Sequence, residues 1–298
     1  MTAELIYKIP SVLGEGAFWH PQRQRLYWVD IDRLMLHEHD PLLNTNRYWQ
    51  LERKPTAIVQ DLAMGLVLGL QGGIAAFDPD EGRLTWLANL EADLPTHRTN
   101  DGKCDTSGRF WIGTMELKAK AGEAALYCID PQLNIVCKEK SLSIPNGMAW
   151  SPDNKRMYHI DSPQRAVRSF FYEEETATIR FEKNAVEIPA SEGSPDGMTM
   201  DVEGMLWVAI WGGFAIHRYN PADGKLMDKV TLPVPQVSCC AFGGAGMDEL
   251  FITTARENMS DADLAKYPLS GSLFKVKTST KGFTVNRFGG YPAKASGS

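Results

Sequence analysis

The chain has 298 residues, 43% of them hydrophobic, with a formal net charge of −6. That is enough apolar material for a large core, and the acidic balance argues against nucleic-acid and anionic-membrane partners, which need a basic surface. No apolar run approaches the ~18 residues of a membrane span, and residues 1–16 lack the basic start and apolar block of a secretion signal, so a cytoplasmic protein is expected.

Residues 4–9 read as a short strand, with Leu5, Tyr7 and Ile9 alternating. From there one unit recurs six times: turn residues, a short apolar strand, then a second strand. Strands are predicted at 26–30 and 34–39, 66–70 and 73–78, 110–113 and 125–129, 157–161 and 167–172, 206–209 and 214–219, and 250–253 and 271–276. The leading residues Leu26, Leu66, Phe110, Met157, Leu206 and Leu250 are roughly 40 to 49 residues apart, the length of a four-stranded propeller blade. Only 260–266 reads as helix, with Ser260 as its cap. The predicted fold is all-β, a six-bladed β-propeller forming a single domain over 1–298. A ring of blades must close or leave exposed edges, and 4–9 is expected to do so beside 283–286 in the last blade. Residues 292–298 read as a loose tail.

Polar residues recur in phase with these marks. About ten or eleven residues before a mark lie Glu15, Asn100, Asn146 and Asp196, each followed within two residues by glycine. Asp196, in Ser194-Pro195-Asp196-Gly197, reads as a carboxylate on a tight turn before a buried strand. The second and sixth repeats show Pro55-Thr56 and Cys239-Cys240 instead. Quasi-symmetric repeats place equivalent positions around one axis, so the four side chains should converge at one mouth of the channel. Two carboxylates and two amide oxygens make a hard oxygen site, suited to Ca²⁺, Mg²⁺ or Mn²⁺. With few protein ligands, such a metal leaves room for water and substrate. Asp196 could then be ligand, general base, or both. Arg98 either holds substrate hydroxyls or a developing oxyanion, or forms a surface ion pair.

Other residues are assigned to structure. The histidines show no HExxH, and His20, His159 and His217 lie in turns or strands. No GxSxG or phosphate-loop motif occurs. Trp19, Trp28, Trp111 and Trp207 fall at core positions, whereas Trp211 either lines the channel mouth or packs in the core. Asp101 is expected to accept hydrogen bonds from turn amides. The cysteines Cys104, Cys128, Cys137, Cys239 and Cys240 are odd in number and lack a CxxC, which predicts reduced, mostly buried thiols.

Taken together, Leu13-Gly14-Glu15-Gly16, Arg98-Thr99-Asn100-Asp101-Gly102-Lys103, Gly113-Thr114-Met115, Ile144-Pro145-Asn146-Gly147, Pro195-Asp196-Gly197 and the run 239–244 resemble the SMP-30/gluconolactonase/LRE family. The resemblance covers nearly the whole chain. It implies a six-bladed propeller with one catalytic divalent metal, calcium foremost and Mg²⁺, Mn²⁺, Zn²⁺ or Fe²⁺ as alternatives, hydrolysing a sugar lactone to its aldonic acid. It also implies Glu15, Asn146 and Asp196 as metal ligands, Asp196 as base, and Arg98 and Asn100 on the substrate side. A substrate-binding glutamate is expected soon after the Thr-Met pair. Here Glu116 follows Met115 directly, and Lys118 takes the matching place, which leaves sugar preference open. Segments 209–214, with Trp211 as a substrate-side residue, and 253–271 look closer to bacterial aldonolactonases, pointing to a pentono- or hexonolactone. A monomer or weak homodimer is expected. The alternative is a calcium-binding or interaction propeller without turnover, since the fold serves both uses; a phosphoesterase using the same metal is a weaker third.

Overall fold

The computed structural model describes residues 1–289; the tail expected at 292–298 lies outside them. The chain forms six four-stranded antiparallel sheets. Each predicted strand pair becomes the second and third strands of a blade, as in Arg25–Asp30 and Met35–Asp40. The six marks Leu26, Leu66, Phe110, Met157, Leu206 and Leu250 are all fully buried. The fourth strands, such as Thr45–Gln50 and Leu226–Thr231, are largely exposed.

The first strands form the wall of the channel. Gly14–His20, Pro55–Gln60, His97–Cys104, Pro145–Trp150, Ser194–Met200 and Val237–Gly243 each pack against the corresponding strand of the next blade. They carry all of the phased polar residues. The tight turn expected around Asp196 is therefore corrected: Asp196 lies inside a strand. Pro195 is compatible with that strand because the ladder is broken immediately after it.

The turn leading out of the first strand is built around a buried aspartate. Asp105 Oδ1 accepts from the amides of Ser107 and Arg109, while Oδ2 accepts from the Trp111 indole and the Arg109 guanidinium. Asp201 does the same for Glu203, Met205, Trp207 and Arg218. A carboxylate that meets this many donors is satisfied without solvent. Aromatic pairs join the blades: Trp49 meets Phe77 at 5.2 Å, Trp111 meets Trp150 at 6.0 Å, Trp207 meets Phe242 at 5.6 Å, and Trp19 stacks on Phe251 at 5.4 Å. Each such pair adds about 0.5–1.5 kcal/mol beyond area burial.

The N-terminal strand Glu4–Tyr7 does complete the last blade, but against Leu273–Lys277 rather than residues 283–286. With Glu4–Tyr7 in place that sheet already has four strands. Residues 283–286 instead line the end of the channel beyond the phased residues, tied down by Asn286 Nδ2 donating to Cys104 O at 3.2 Å. The helix is Asp261–Lys266, and Ser260 Oγ caps it by accepting from Asp263 N at 3.1 Å. Among the described residues no helix is long and apolar enough to cross a membrane.

Candidate active site

Every first strand breaks register near its start. Asn100–Asp101 sit opposite Gly113, Asn146–Gly147 opposite Ile160, and Asp196–Gly197 opposite Ala209: two residues against one in each case. In the first blade the break begins directly after Glu15. Such a bulge turns a side chain out of the alternating pleat. It lets consecutive blades aim oxygen-bearing side chains at one place while the strand continues as channel wall.

The glycines after Asn146 and Asp196 serve close approach. A Cβ on Gly147 would lie 2.4 Å from Met198 Cβ, and one on Gly197 would lie 2.8 Å from Cys239 Cα. Neither glycine has a positive φ. Their role is to let the next blade's strand come close, a different reason from the turn freedom that the sequence suggests.

The bulges are stitched together by hydrogen bonds between blades. Thr56 and Thr99 hydroxyls meet at 2.6 Å; Asn100 Nδ2 donates to Pro145 O at 2.8 Å; Ser162 Oγ donates to Pro195 O at 2.7 Å; Ser238 Oγ donates to Gly14 O at 2.5 Å. This also corrects the sixth repeat. Its irregularity falls between Val237 and Cys239, so Ser238 is the equivalent position rather than the Cys239-Cys240 pair.

Glu15, Asn100, Asn146 and Asp196 are all buried. Asn100 Nδ2 reaches Asn146 Oδ1 at 3.2 Å, and Arg98 Nη1 donates to Asn100 Oδ1 at 2.6 Å. Burial, reinforced by the Asp101 charge, pushes the Glu15 carboxyl up to about 8, against a hydrogen bond from Gly16 N and the Arg98 charge. Burial and then the charges of Glu15, Asp101 and Glu257 hold Asp196 well above the usual carboxylate range. Among the described residues neither Glu15 nor Asp196 has an ion-pair partner, and the Asp196 carboxylate accepts no hydrogen bond. Buried carboxylates without a counter-ion are costly, so this pair fits a cation. Among the described residues no three His, Cys, Asp or Glu side chains form a metal cage. The donors at the channel are instead two carboxylates and amide oxygens, which favour Ca²⁺, Mg²⁺ or Mn²⁺ over Zn²⁺ or Fe²⁺.

Arg98 makes no ion pair among the described residues, unlike the surface pair allowed by the sequence. Burial lowers its pKa, opposed by the carboxylates of Asp32, Glu15, Glu257 and Asp196. Its Nη1 serves Thr99 O and Asn100 Oδ1, which leaves Nε and Nη2 for a ligand. Glu116 is not joined to this group: its Oε2 accepts from Lys118 N at 2.7 Å, closing its own turn, and Lys118 is exposed. Trp211 is half-buried against an apolar cluster that includes Leu13 and Ala255. Asp101 accepts from Gly102 N at 2.7 Å, as a structural aspartate should. It also borders a cavity of about 430 Å³ farther along the channel, lined by Phe18, Trp19, Trp150, Met200 and Phe242.

Two participants were not found by pattern. Glu257 lies in the excursion after strand Glu249–Thr254, outside the repeat, so nothing in its spacing marks it. Ser162 follows the second strand of its blade, and its Oγ accepts from Asn146 Nδ2 at 2.9 Å. The tryptophans expected in the core are there: Trp19, Trp28, Trp111 and Trp207 are at most 1% exposed. All five thiols are free, and Cys137 alone is not fully buried.

The profile of the family described as SMP-30/Gluconolactonase/LRE-like region matches residues 13–256. Regucalcin of Danio rerio is 33% identical over 92% of this chain and 93% of its own. Pentonolactonase XacC of Haloferax volcanii is 31% identical, covering 95% of this chain and 96% of its own. Among solved structures, a calcium-binding protein, regucalcin, from Agrobacterium tumefaciens superposes with a TM-score of 0.92 at 28% identity, covering 96% of this chain and 97% of that one.

Proposed function

We propose one reaction for this chain, which belongs to the SMP-30/gluconolactonase/LRE-like family: hydrolytic opening of a sugar lactone to its aldonic acid. The observation that carries the proposal is the pair of buried, unpaired carboxylates Glu15 and Asp196, on separate blades, beside Asn146 and the free donors of Arg98. Glu15, Asn146 and Asp196 would hold one divalent cation. When bound, that cation supplies Lewis acidity to the ester carbonyl and acidity to a coordinated water.

The protein's own groups do the rest. Asp196 accepts the proton of the attacking water. The Nε and Nη2 groups of Arg98 face substrate oxygens and stabilise the charge that develops on the ring-opening oxygen. Asn100, held by Arg98, lines the same side. Trp211 offers an apolar flank for the sugar ring, and Glu116 stands at the end of the strand next to that of Arg98. A pentono- or hexonolactone fits a site of this polarity, and calcium suits the oxygen donors best.

The test is proton release from metal-stripped protein on a panel of five- and six-carbon aldonolactones, with Ca²⁺, Mg²⁺, Mn²⁺, Zn²⁺ or Fe²⁺ restored in turn and spontaneous opening subtracted. Metal-restored hydrolysis of at least one lactone is expected. Tight cation binding without turnover of any lactone would replace this reading with a calcium-binding propeller.

A further inference from the structure

An asparagine binds a cation only through its oxygen, so a metal-ligating asparagine must be held from flipping. At Asn146 the candidate device is Ser162. A serine hydroxyl has one hydrogen to donate. Ser162 Oγ donates it to Pro195 O at 2.7 Å, on the next blade. Toward Asn146 the hydroxyl can therefore only accept, and Asn146 Nδ2 lies 2.9 Å from it. The amide nitrogen is thereby turned to Ser162 and Oδ1 is turned away, toward Asn100 Nδ2 at 3.2 Å. Asn100 is in turn oriented because its Oδ1 accepts from Arg98 Nη1 at 2.6 Å. Ser162 is 8% exposed, so water offers little competition for these bonds.

We propose that Ser162 is a positioning residue that fixes the amide orientation of Asn146 and, through Pro195 O, ties that orientation to the strand carrying Asp196. The inference rests on the metal-site reading above. The donor–acceptor sequence runs from Arg98 through Asn100, Asn146 and Ser162 to Pro195, across three blades. Without the hydroxyl, only the longer 3.2 Å bond from Asn100 Nδ2 holds Asn146 Oδ1 in place; the amide then also turns its NH₂ group toward a cation, which meets a donor in place of a ligand. Removing an outer partner of a metal ligand typically weakens binding by about 10–100-fold.

The experiment is a double-mutant cycle read by calorimetric titration of Ca²⁺ into the metal-stripped full-length protein. Ser162→Ala should weaken Ca²⁺ binding by about tenfold or more. Asn146→Asp supplies two equivalent oxygens that need no orienting, so adding Ser162→Ala in that background should change affinity less than about twofold. An equal loss in both backgrounds would mean that Ser162 acts only through packing, and would overturn the proposal. So would an unchanged affinity of the single variant. If wild-type protein binds none of Ca²⁺, Mg²⁺ or Mn²⁺, the metal reading and this inference fall together. If wild type binds and the cycle shows no coupling, the inference alone falls. Far-ultraviolet circular dichroism of each variant identifies any that fails to fold, and in that event Ser162→Thr, which retains the hydroxyl, must recover wild-type affinity.

Discussion

Replacing Glu15 by glutamine tests the electrostatics of the site without requiring substrate. In the metal-free fold the Glu15 carboxyl titrates at about 8, against an ordinary value of 4.5. A raised carboxyl pKa means that the folded state keeps a proton which the unfolded chain has released. That stabilisation is fully present below 4.5 and is lost as pH rises through 8. Within this window the loss approaches about 1.4 kcal/mol per pH unit. Buried histidines act oppositely: burial lowers the pKa of His20, His37, His39, His159 and His217, so acid below about 6.5 favours unfolding. That term is common to both proteins and cancels in the comparison. From pH 5.5 to 7.5, wild type should lose at least about 2–3 kcal/mol relative to Glu15→Gln, since removing the Glu15 charge also lowers the Asp196 carboxyl toward its ordinary range. For a chain of this length the unfolding entropy converts that into roughly 4 °C of relative Tm. The assay is scanning calorimetry of both proteins in chelator at several pH values. Parallel Tm curves across this range would refute the argument. Saturating Ca²⁺ should flatten the wild-type curve between pH 7 and 8, because a bound cation replaces the proton.

Asp196→Asn should lower lactone turnover by at least about 10²-fold, the scale of a lost base or main electrostatic group; steady-state rates at saturating metal check it. Gly197→Ala places a methyl 2.7 Å from Cys239 Sγ and should cost about 1–3 kcal/mol in denaturant unfolding. Asp201→Ala leaves the Trp207 indole, the Arg218 Nε and two amides without their acceptor, while Glu203 still holds Arg218 Nη2, and should cost about 2–4 kcal/mol by the same measurement. Cys239→Ser combined with Cys240→Ser should leave lactonase activity within about twofold, since both thiols are packed against backbone and their pKa values are raised by burial.

The sequence by itself determined the architecture, because each blade is a local unit. Turn residues, two apolar strands and a recurrence near blade length appear six times, and every register mark is fully buried in the fold. It also placed Glu15, Asn100, Asn146 and Asp196 in phase, because repeat position around an axis is a property of spacing alone. It assigned Trp19, Trp28, Trp111 and Trp207 to the interior from their strand positions, and the thiols to a reduced, mostly buried state from their odd number and the lack of a CxxC. What spacing could not contain is how the first strands meet. Asn100, Asn146 and Asp196 sit on bulges and Glu15 directly before one, and bulges depend on the pairing partner and not on the chain that bulges. The glycines beside them are explained by strands from other blades. The partner of Glu4–Tyr7 was decided by which edge of the last sheet remained open. Ser238, Glu257 and Ser162 gained their places through contacts of one blade with the next. Glu116 carried the right residue type near the right motif, yet its carboxylate closes its own turn at 2.7 Å. Local patterns record what a segment does with its neighbours in sequence; the orientation of a site built from five blades is set by contacts between blades, from 33 residues apart for Ser162 and Pro195 to 224 for Ser238 and Gly14, and these exist only once the ring has closed.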